Sequence, residues 1–366
     1  MAMQWFAGLM TGTVLDGQID IALLRTDGAQ VAEFGAYELV PYREEICEIL
    51  RQCVDAARLW NFNGPDPEIF NRAERALTLA QADAVKQIVA KANLELHDIA
   101  AVGFHGQTVL HQPEAGITVQ IGDPQLLARA ADCAVVGQFR LADIANGGQG
   151  APLAPLFHAA RAKSQSGSLG VLNIGGVANI TFLDECDKIC AFDTGPGNAL
   201  LDDWVSAKTG RPYDADGALA RNGRVDEMAL QRLLSHVFFD RAPPKSLDRL
   251  AFDPSPVARL SPEDGAATLT AFTAAAVARG LEIAGYEPAR LIVCGGGRHN
   301  LALMEALQKQ TGVAVQNCDA LGWAGDALEA EAFAWLAVRH CLGLPTSVPQ
   351  TTGVSSPIVG GRKYNP

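Results

Sequence analysis

The chain has 366 residues, of which 48% are hydrophobic and 19% charged, and carries a formal net charge of -12. That length allows about two domains, and the composition supplies apolar cores and excludes a disordered chain. So acidic a balance excludes a general nucleic-acid binder, whose phosphate partner demands basic surface, and leaves room only for local anion contacts.

The opening "MAMQWFAGLMTG" lacks the basic segment and apolar centre of a secretory leader, and no apolar run reaches the ~18 residues of a membrane span. The eight cysteines form no CxxC pair, so most are expected to be reduced core residues in a cytoplasmic protein. Two strands, "QWFAGLM" and "IDIALLRT", flank a first glycine turn, "TGTVLDGQ", and "VAEFGAYELV" follows as a third. Residues 66–92 read as a helix, with Asp66 as cap, Pro67 at the first helical position, and Ile69, Ala73, Ala76, Ala80, Ala84 and Ile88 as one stripe. The strand "IAAVGF" leads into the loop "HGQT". "GITVQIG" and "CAVVGQF" are further strands around the helix "DPQLLARAA".

A glycine-rich change of composition, "ADIANGGQGAPLAP", sets the expected boundary: a first domain at 1–140, a connection at 141–168 and a second domain at 169–366, its last segment free to pack back on the first. The pattern then restarts. "LGVLNIGGVANITFL" is again strand, glycine turn, strand, and "KICAFD" is a third strand. Further on come the helix "GAATLTAFTAAAVARGLEIA", the strand and triple-glycine turn of "ARLIVCGGGRHN", the helix "NLALMEALQKQ" and a last helix in "DALEAEAFAWLAVRHCL".

Three glycine turns stand beside strands: Gly12 to Gly17, Gly175–Gly176 and Gly295–Gly297. Glycines let backbone N–H groups approach a phosphate, although each turn taken singly is more often a plain turn. None matches a P-loop or a dinucleotide fingerprint. In "AFDTGPGNALLDDW", Asp193 ends an apolar run just before a Gly-Pro-Gly turn and a helix. It is either a turn former or a carboxylate placed where open α/β sheets collect their chemistry.

The motifs "GLMTGTVLDG", "GFHGQTVLHQP", "VQIGDPQLLA", "DIANGGQGAPL", "LNIGGVANIT", "FDTGPGN", "VCGGGRHN" and "DALEAEAFAWLA" occur in consistent order along practically the whole chain. Together they resemble the anhydro-N-acetylmuramic acid kinases of the sugar kinase/Hsp70/actin superfamily. The resemblance implies an α/β chain of two actin-like (ribonuclease H-like) domains around an interdomain cleft. It implies ATP with Mg²⁺, a homodimer, and conversion of 1,6-anhydro-N-acetylmuramate to N-acetylmuramate 6-phosphate in peptidoglycan recycling. On this resemblance Asp193 is the base that activates water, and Glu329 is a second active-site carboxylate. Helical spacing turns Glu331 about 200° away from Glu329, so only one of them can face a given cleft.

The resemblance further implies phosphate and nucleotide contacts from Gly12, Thr13, Val14, Leu15, Asp16, Gly17, Gly175, Gly176, Gly295, Gly296 and Gly297, and sugar contacts from His105, Gln107 and Arg140. Asp143, Lys245 and Arg298 are either further ligand contacts or surface charges, and Asn173 and Asn179 either brace the second hairpin or touch ligand. The chain departs from the family pattern at Val14, near Gln18, and at Gln138, where the family often has aspartate. A levoglucosan-type kinase, a non-enzymatic nucleotide-binding regulator and an ATP-independent two-carboxylate glycosidase are the competing readings.

Overall fold

The computed structural model describes residues 2–11, 17–186, 188–247 and 251–366. The chain forms two compact units, one made of Met1–Lys163 with Asp326–Pro366 and the other of Ser164–Gly325. The first unit starts with β1 (Gln4–Met10), β2 (Gln18–Thr26), β3 (Val31–Pro41), α1 (Glu44–Trp60) and α2 (Glu68–Lys91). It continues through β4 (Ile99–Phe104), β5 (Gln107–Gln112), β6 (Ile117–Ile121), α3 (Pro124–Ala131), β7 (Val135–Gly137), α4 (Phe139–Ala145) and α5 (Pro155–Ala162).

The second unit begins with β8 (Leu169–Ile174), β9 (Val177–Leu183), β10 (Ile189–Pro196), α6 (Ala199–Thr209), α7 (Ala218–Arg221) and α8 (Glu227–Leu234). Then come α9 (Pro262–Ala284), β11 (Arg290–Cys294), α10 (Leu301–Thr311) and β12 (Ala314–Asn317). The chain finally returns to the first unit as α11 (Leu328–Cys341), α12 (Pro349–Thr352) and β13 (Arg362–Tyr364).

The two sheets share one topology. In the first, the order is β13-β7-β4-β1-β2-β3, with β1–β2–β3 antiparallel and β4 and β7 parallel to β1 and to each other. In the second, the order is β10-β9-β8-β11-β12, with β8–β9–β10 antiparallel and β11 and β12 parallel. An antiparallel meander continued by parallel strands beyond its first member is the ribonuclease H-like sheet. Its occurrence in both units makes the chain a two-domain actin-like α/β protein.

Local chemistry accounts for most boundaries. Asp123 caps α3 by accepting from the N–H groups of Gln125 and Leu126, and Ser261 caps α9 through the N–H of Asp264. In α2, Pro67 is the residue before the first turn and Asp66 does not cap, so the helix starts one residue later than its sequence suggests. Phe70, Ala73, Leu77, Val85 and Ile88 are among its buried apolar residues. Helix α9 is apolar nearly all round because it is covered on two sides. Ala274, Val277 and Leu281 meet the sheet, while Phe272 and Ala276 meet Phe239 and Phe252.

The sequence placed residues 169–366 in the second domain and left the last segment free to pack back on the first; in the structure Asp326–Pro366 group with the first unit. Helix α11 lies so close on β1 and β4 that a Cβ on Gly8 would stand 1.9 Å from Ala330 O, and one on Gly103 2.0 Å from Phe333 O. The C-terminal β13 then pairs with β7 as a sixth strand. Helix and sheet therefore touch backbone to backbone. A Gly103→Ala variant is expected to lose about 2–3 kcal/mol or more in denaturant unfolding, on the scale of core overpacking. An unchanged unfolding midpoint would mean that α11 does not rest on β4.

Candidate active site

Asp193 is 7% exposed and is held at both ends by one short segment of its own unit. Its N–H donates to Lys245 O (2.9 Å), and its Oδ2 accepts from the N–H of Leu247 (2.7 Å). The expected turn directly after it is instead strand. β10 runs on to Pro196 through a bulge between Asp193 and Gly195, and such a bulge re-aims the side chains beside it. Lys245, read as a surface charge or ligand contact, is 5% exposed, and its Nζ donates to Phe238 O at 3.1 Å.

The second glycine hairpin joins β8 to β9 beside the start of α6. Gly175 O accepts from the N–H of Asn198 (2.7 Å), and Gly176 O from those of Gly197 (3.0 Å) and Ala199 (3.3 Å). The hairpin is thereby fixed to the segment that follows Asp193. A Cβ on Gly175 would meet only Val177 O, at 3.8 Å, so that face of the turn is open. The triple-glycine turn divides by cause. Gly295 (φ 73°) and Gly297 are pressed by Asn173 and Ile174, where a Cβ would stand 2.4–2.6 Å from their atoms. Gly296 is exposed and would meet only Asn198 Nδ2, at 3.6 Å. Arg298, far from being a solvated charge, is 3% exposed and braces the turn by donating to Gly295 O (3.0 Å) and Asp319 Oδ2 (3.0 Å).

In the first unit, His105 follows the C-terminal end of β4 and meets Arg140, and Gln107 is the first residue of β5. His105 Nε2 accepts from Arg140 Nε (3.2 Å) and Nη2 (2.9 Å), while Nδ1 faces Gly106 O at 2.7 Å. That pattern requires a neutral ring with its proton on Nδ1. Burial first, and the Arg140 charge second, hold His105 well below the usual histidine range. Arg140 also donates to Gly150 O (2.7 Å), tying the glycine-rich loop to the histidine. Gln107 is fully buried, and its Oε1 has no hydrogen-bond partner among the described residues.

Asp143 is buried rather than a surface charge: it accepts from the N–H of Gly150 (2.7 Å), Ser347 Oγ (2.5 Å) and Thr352 Oγ1 (2.6 Å). Gln138 has a left-handed backbone (φ 59°), and its Oε1 accepts from Tyr364 OH.

Glu329 and Glu331 part as their helical spacing requires. Glu329 is half-buried, whereas Glu331 is 2% exposed and lies 3.5 Å from Arg161. Burial pushes the Glu331 carboxyl up to about 7, against the pull of Arg161. Gly12, Thr13, Val14, Leu15 and Asp16 lie outside the described residues. Gly17, at φ 82°, accepts at its carbonyl from the N–H of Tyr42 (2.8 Å).

Near Gly17, Thr11, Tyr42 and Gln81 form a buried hydrogen-bonded trio with distances of 2.7–3.0 Å, which sequence reasoning missed. Its signal was Gln81, a polar residue on the mostly apolar buried face of α2. His111, in the same motif as His105, was also missed: its Nδ1 meets Thr118 Oγ1 at 2.9 Å, and burial pushes it down to about 4.

The profile of the anhydro-N-acetylmuramic acid kinases matches residues 4–366. A curated relative of that name from Mesorhizobium japonicum is 50% identical over 364 residues, covering 98% of each chain. Another, from Brucella anthropi, is 51% identical over 363 residues and again covers 98% of each chain. The chain belongs to the anhydro-N-acetylmuramic acid kinase family. A relative from Rhodospirillum rubrum, 51% identical over 363 residues, covers 98% of this chain and 93% of its own. Membership of this kinase family rests on the whole length, including α11 and the tail that returns to the first unit. Among the described residues no helix is long and apolar enough to cross a membrane.

The buried histidines of this kinase-family chain have a consequence for stability. His105 lies well below 6.5 in the folded chain, and burial holds His111 and His158 at about 4, so each takes up a proton on unfolding below pH ~6.5. Glu331, raised to about 7, releases one. Roughly two protons are therefore bound net on unfolding near pH 5.5. Stability is expected to fall by about 2–3 kcal/mol per pH unit as pH drops from 6.5 to 5. Denaturant unfolding at pH 7 and 5.5 measures this. Equal stabilities would mean that the rings are not held neutral.

Proposed function

We propose that this chain is an ATP-dependent kinase that opens the 1,6-anhydro bridge of anhydro-N-acetylmuramic acid with water and phosphorylates O6. The product is N-acetylmuramate 6-phosphate, made in the cytoplasm during peptidoglycan recycling. Identity of about half along the full length with relatives of that name supports the substrate. The observation that carries the mechanism is Asp193, a buried carboxylate aligned by two backbone contacts beside a glycine hairpin with an open face.

In this reading Asp193 takes a proton from the water that attacks the anomeric carbon. The bond from that carbon to O6 breaks, and O6 attacks the γ-phosphorus of ATP, releasing ADP. Gly175 and Gly176 offer their turn to the phosphates, with the first hairpin, Gly12 to Gly17, as a second phosphate contact, and Gly296 borders the nucleoside. His105, Gln107 and Arg140 bind the sugar. The neutral His105 ring and the unmatched Gln107 oxygen suit hydroxyl and amide groups better than a second charge. Glu329 serves as a second carboxylate at the anhydro bridge.

In this reading Mg²⁺ would enter with ATP, held by phosphate oxygens and water. The working form in this reading is a homodimer. The exposed Phe34, Tyr37 and Leu39 on β3, the edge strand of the first sheet, favour such an association.

ADP release across a panel of 1,6-anhydro sugars, with the phosphorylated products identified, tests the substrate. Equal turnover of levoglucosan would favour the simpler kinase, and bridge opening without ATP a glycosidase. Asp193→Asn keeps an acceptor for the N–H of Leu247, so folding and ATP binding should survive while turnover drops at least ~100-fold. Near-normal turnover would remove Asp193 from the role. Gly175→Ala adds a methyl group that the protein has room for but a phosphate against the backbone does not. ATP affinity should fall about tenfold, some 1.4 kcal/mol, with stability unchanged. Calorimetry showing wild-type affinity would rule the turn out as a phosphate contact.

A further inference from the structure

We propose that Thr273 is a positioning residue for ATP: its buried hydroxyl, acting through a single peptide plane, fixes the glycine turn at Gly175–Gly176. The inference rests on the reading of that turn as a phosphate contact. Helix α9 carries three buried threonines, and their hydroxyls differ in what they reach. Thr268 Oγ1 turns back on its own helix and donates to Asp264 O at 2.7 Å, the ordinary outlet for a hydroxyl in a helix. Thr270 Oγ1 has no hydrogen-bond partner among the described residues. Thr273 Oγ1 instead leaves the helix and donates to Gly197 O at 3.0 Å.

The acceptor needs that bond. The ladder between β9 and β10 ends where Pro196 faces Val177, so the carbonyl of the buried Gly197 lies just beyond it. A buried carbonyl without a donor is costly. Gly197 O and the N–H of Asn198 are the two ends of one planar peptide unit. That N–H donates to Gly175 O at 2.7 Å, and the N–H of Gly197 donates to Gly176 O at 3.0 Å. One hydroxyl on α9 thus orients the plane whose other end holds Gly175, the glycine with the open face. A bond accepted at the carbonyl also polarises the peptide and strengthens its N–H as a donor.

Packing along the same side of α9 supports the contact. Thr273, Ala276 and Gly280 are three and four residues apart, so they line one side of the helix. A Cβ on Gly195 would stand 2.7 Å from Ala276 Cβ, and one on Gly280 3.3 Å from Thr194 Cγ2. The helix therefore lies directly on the segment between Asp193 and Gly197. Of these three residues Thr273 is the one that supplies a side-chain hydrogen bond. Removing its hydroxyl leaves the packing in place and frees the peptide plane to tilt, and Gly175 with it.

The test is steady-state kinetics of the wild type, Thr273→Val, Thr273→Ser and Thr270→Val, with ATP and the anhydro sugar varied in turn. Valine keeps the shape of threonine and removes the hydroxyl. Thr273→Val should raise KM for ATP about fivefold, the scale of one hydrogen bond, and leave KM for the sugar within about twofold. Serine should restore the wild-type KM for ATP, and Thr270→Val should not change it. A folded Thr273→Val enzyme with the wild-type KM for ATP overturns the proposal, because lost packing alone lowers the unfolding midpoint without separating the two KM values. A serine variant as impaired as the valine one, or an equal rise in Thr270→Val, overturns it too. Thr273→Cys, of similar bulk and a feeble donor, gives an answer even if the valine variant does not fold. Its KM for ATP should rise about threefold, and an unchanged value overturns the proposal. Wild-type ATP affinity in Gly175→Ala would instead overturn the phosphate reading and this inference with it. Weakened affinity there beside an unmoved Thr273→Val leaves the turn in place and overturns Thr273 alone.

Discussion

Helix α11 rests its backbone directly on strands β1 and β4, and the first unit depends on that contact. No side chain can stand at Gly8 or Gly103, because Ala330 O and Phe333 O already occupy the space where a Cβ would go. The contact gathers two distant chain segments into one core, and the tail that follows α11 adds β13 to the sheet and ties its Ser347 and Thr352 to Asp143. It also buries Glu331 against Arg161, two residues before the first segment ends at Lys163. A buried ion pair adds little net stability over apolar packing, but losing one partner would strand a charge. The pair therefore fixes where α5 and α11 lie more than it strengthens the fold.

The second unit obeys the same constraint, with a different outcome. Its hairpin at Gly175–Gly176 turns its carbonyls into the N–H groups of residues 197–199, and Ile174 and Asn173 press on Gly295 and Gly297. These contacts are internal, so the two glycines of the triple turn answer to packing. Gly175 and Gly296 have open space where a side chain would go. A glycine that the protein does not itself require is the better candidate for a ligand, and this separates residues that a motif treats as equal.

Burial also sorts the polar groups. His105, Gln107, Asp143 and Arg298 are as inaccessible as core residues, and all take part in hydrogen bonds within their own units. For a charge or an amide removed from water this is the expected compensation. Asp193 differs in how it is held. Its acceptor oxygen and its backbone are both fixed by residues 245–247, which hang on an aromatic cluster of Phe238, Phe239, Phe252 and Phe272. Apolar packing some distance from the carboxylate thus decides where it points.

Local sequence determined the elements. Period-two and period-3.6 apolar patterns and the glycine turns placed most of the strands and the long helices α2, α9 and α11, and the ordered motifs identified the family. These signals depend on neighbours within a few residues, so one chain displays them. Tertiary structure alone decided what depends on partners far along the chain. It gave α11 and the tail to the first unit, carried β10 past Asp193 through a bulge, and buried Lys245, Asp143 and Arg298, which read as surface charges or ligand contacts. It also assembled the trio of Thr11, Tyr42 and Gln81, which are separated by up to 70 positions. Whether a lysine is solvated or buried depends on a carbonyl and a ring contributed by another turn, and no local pattern encodes that distance.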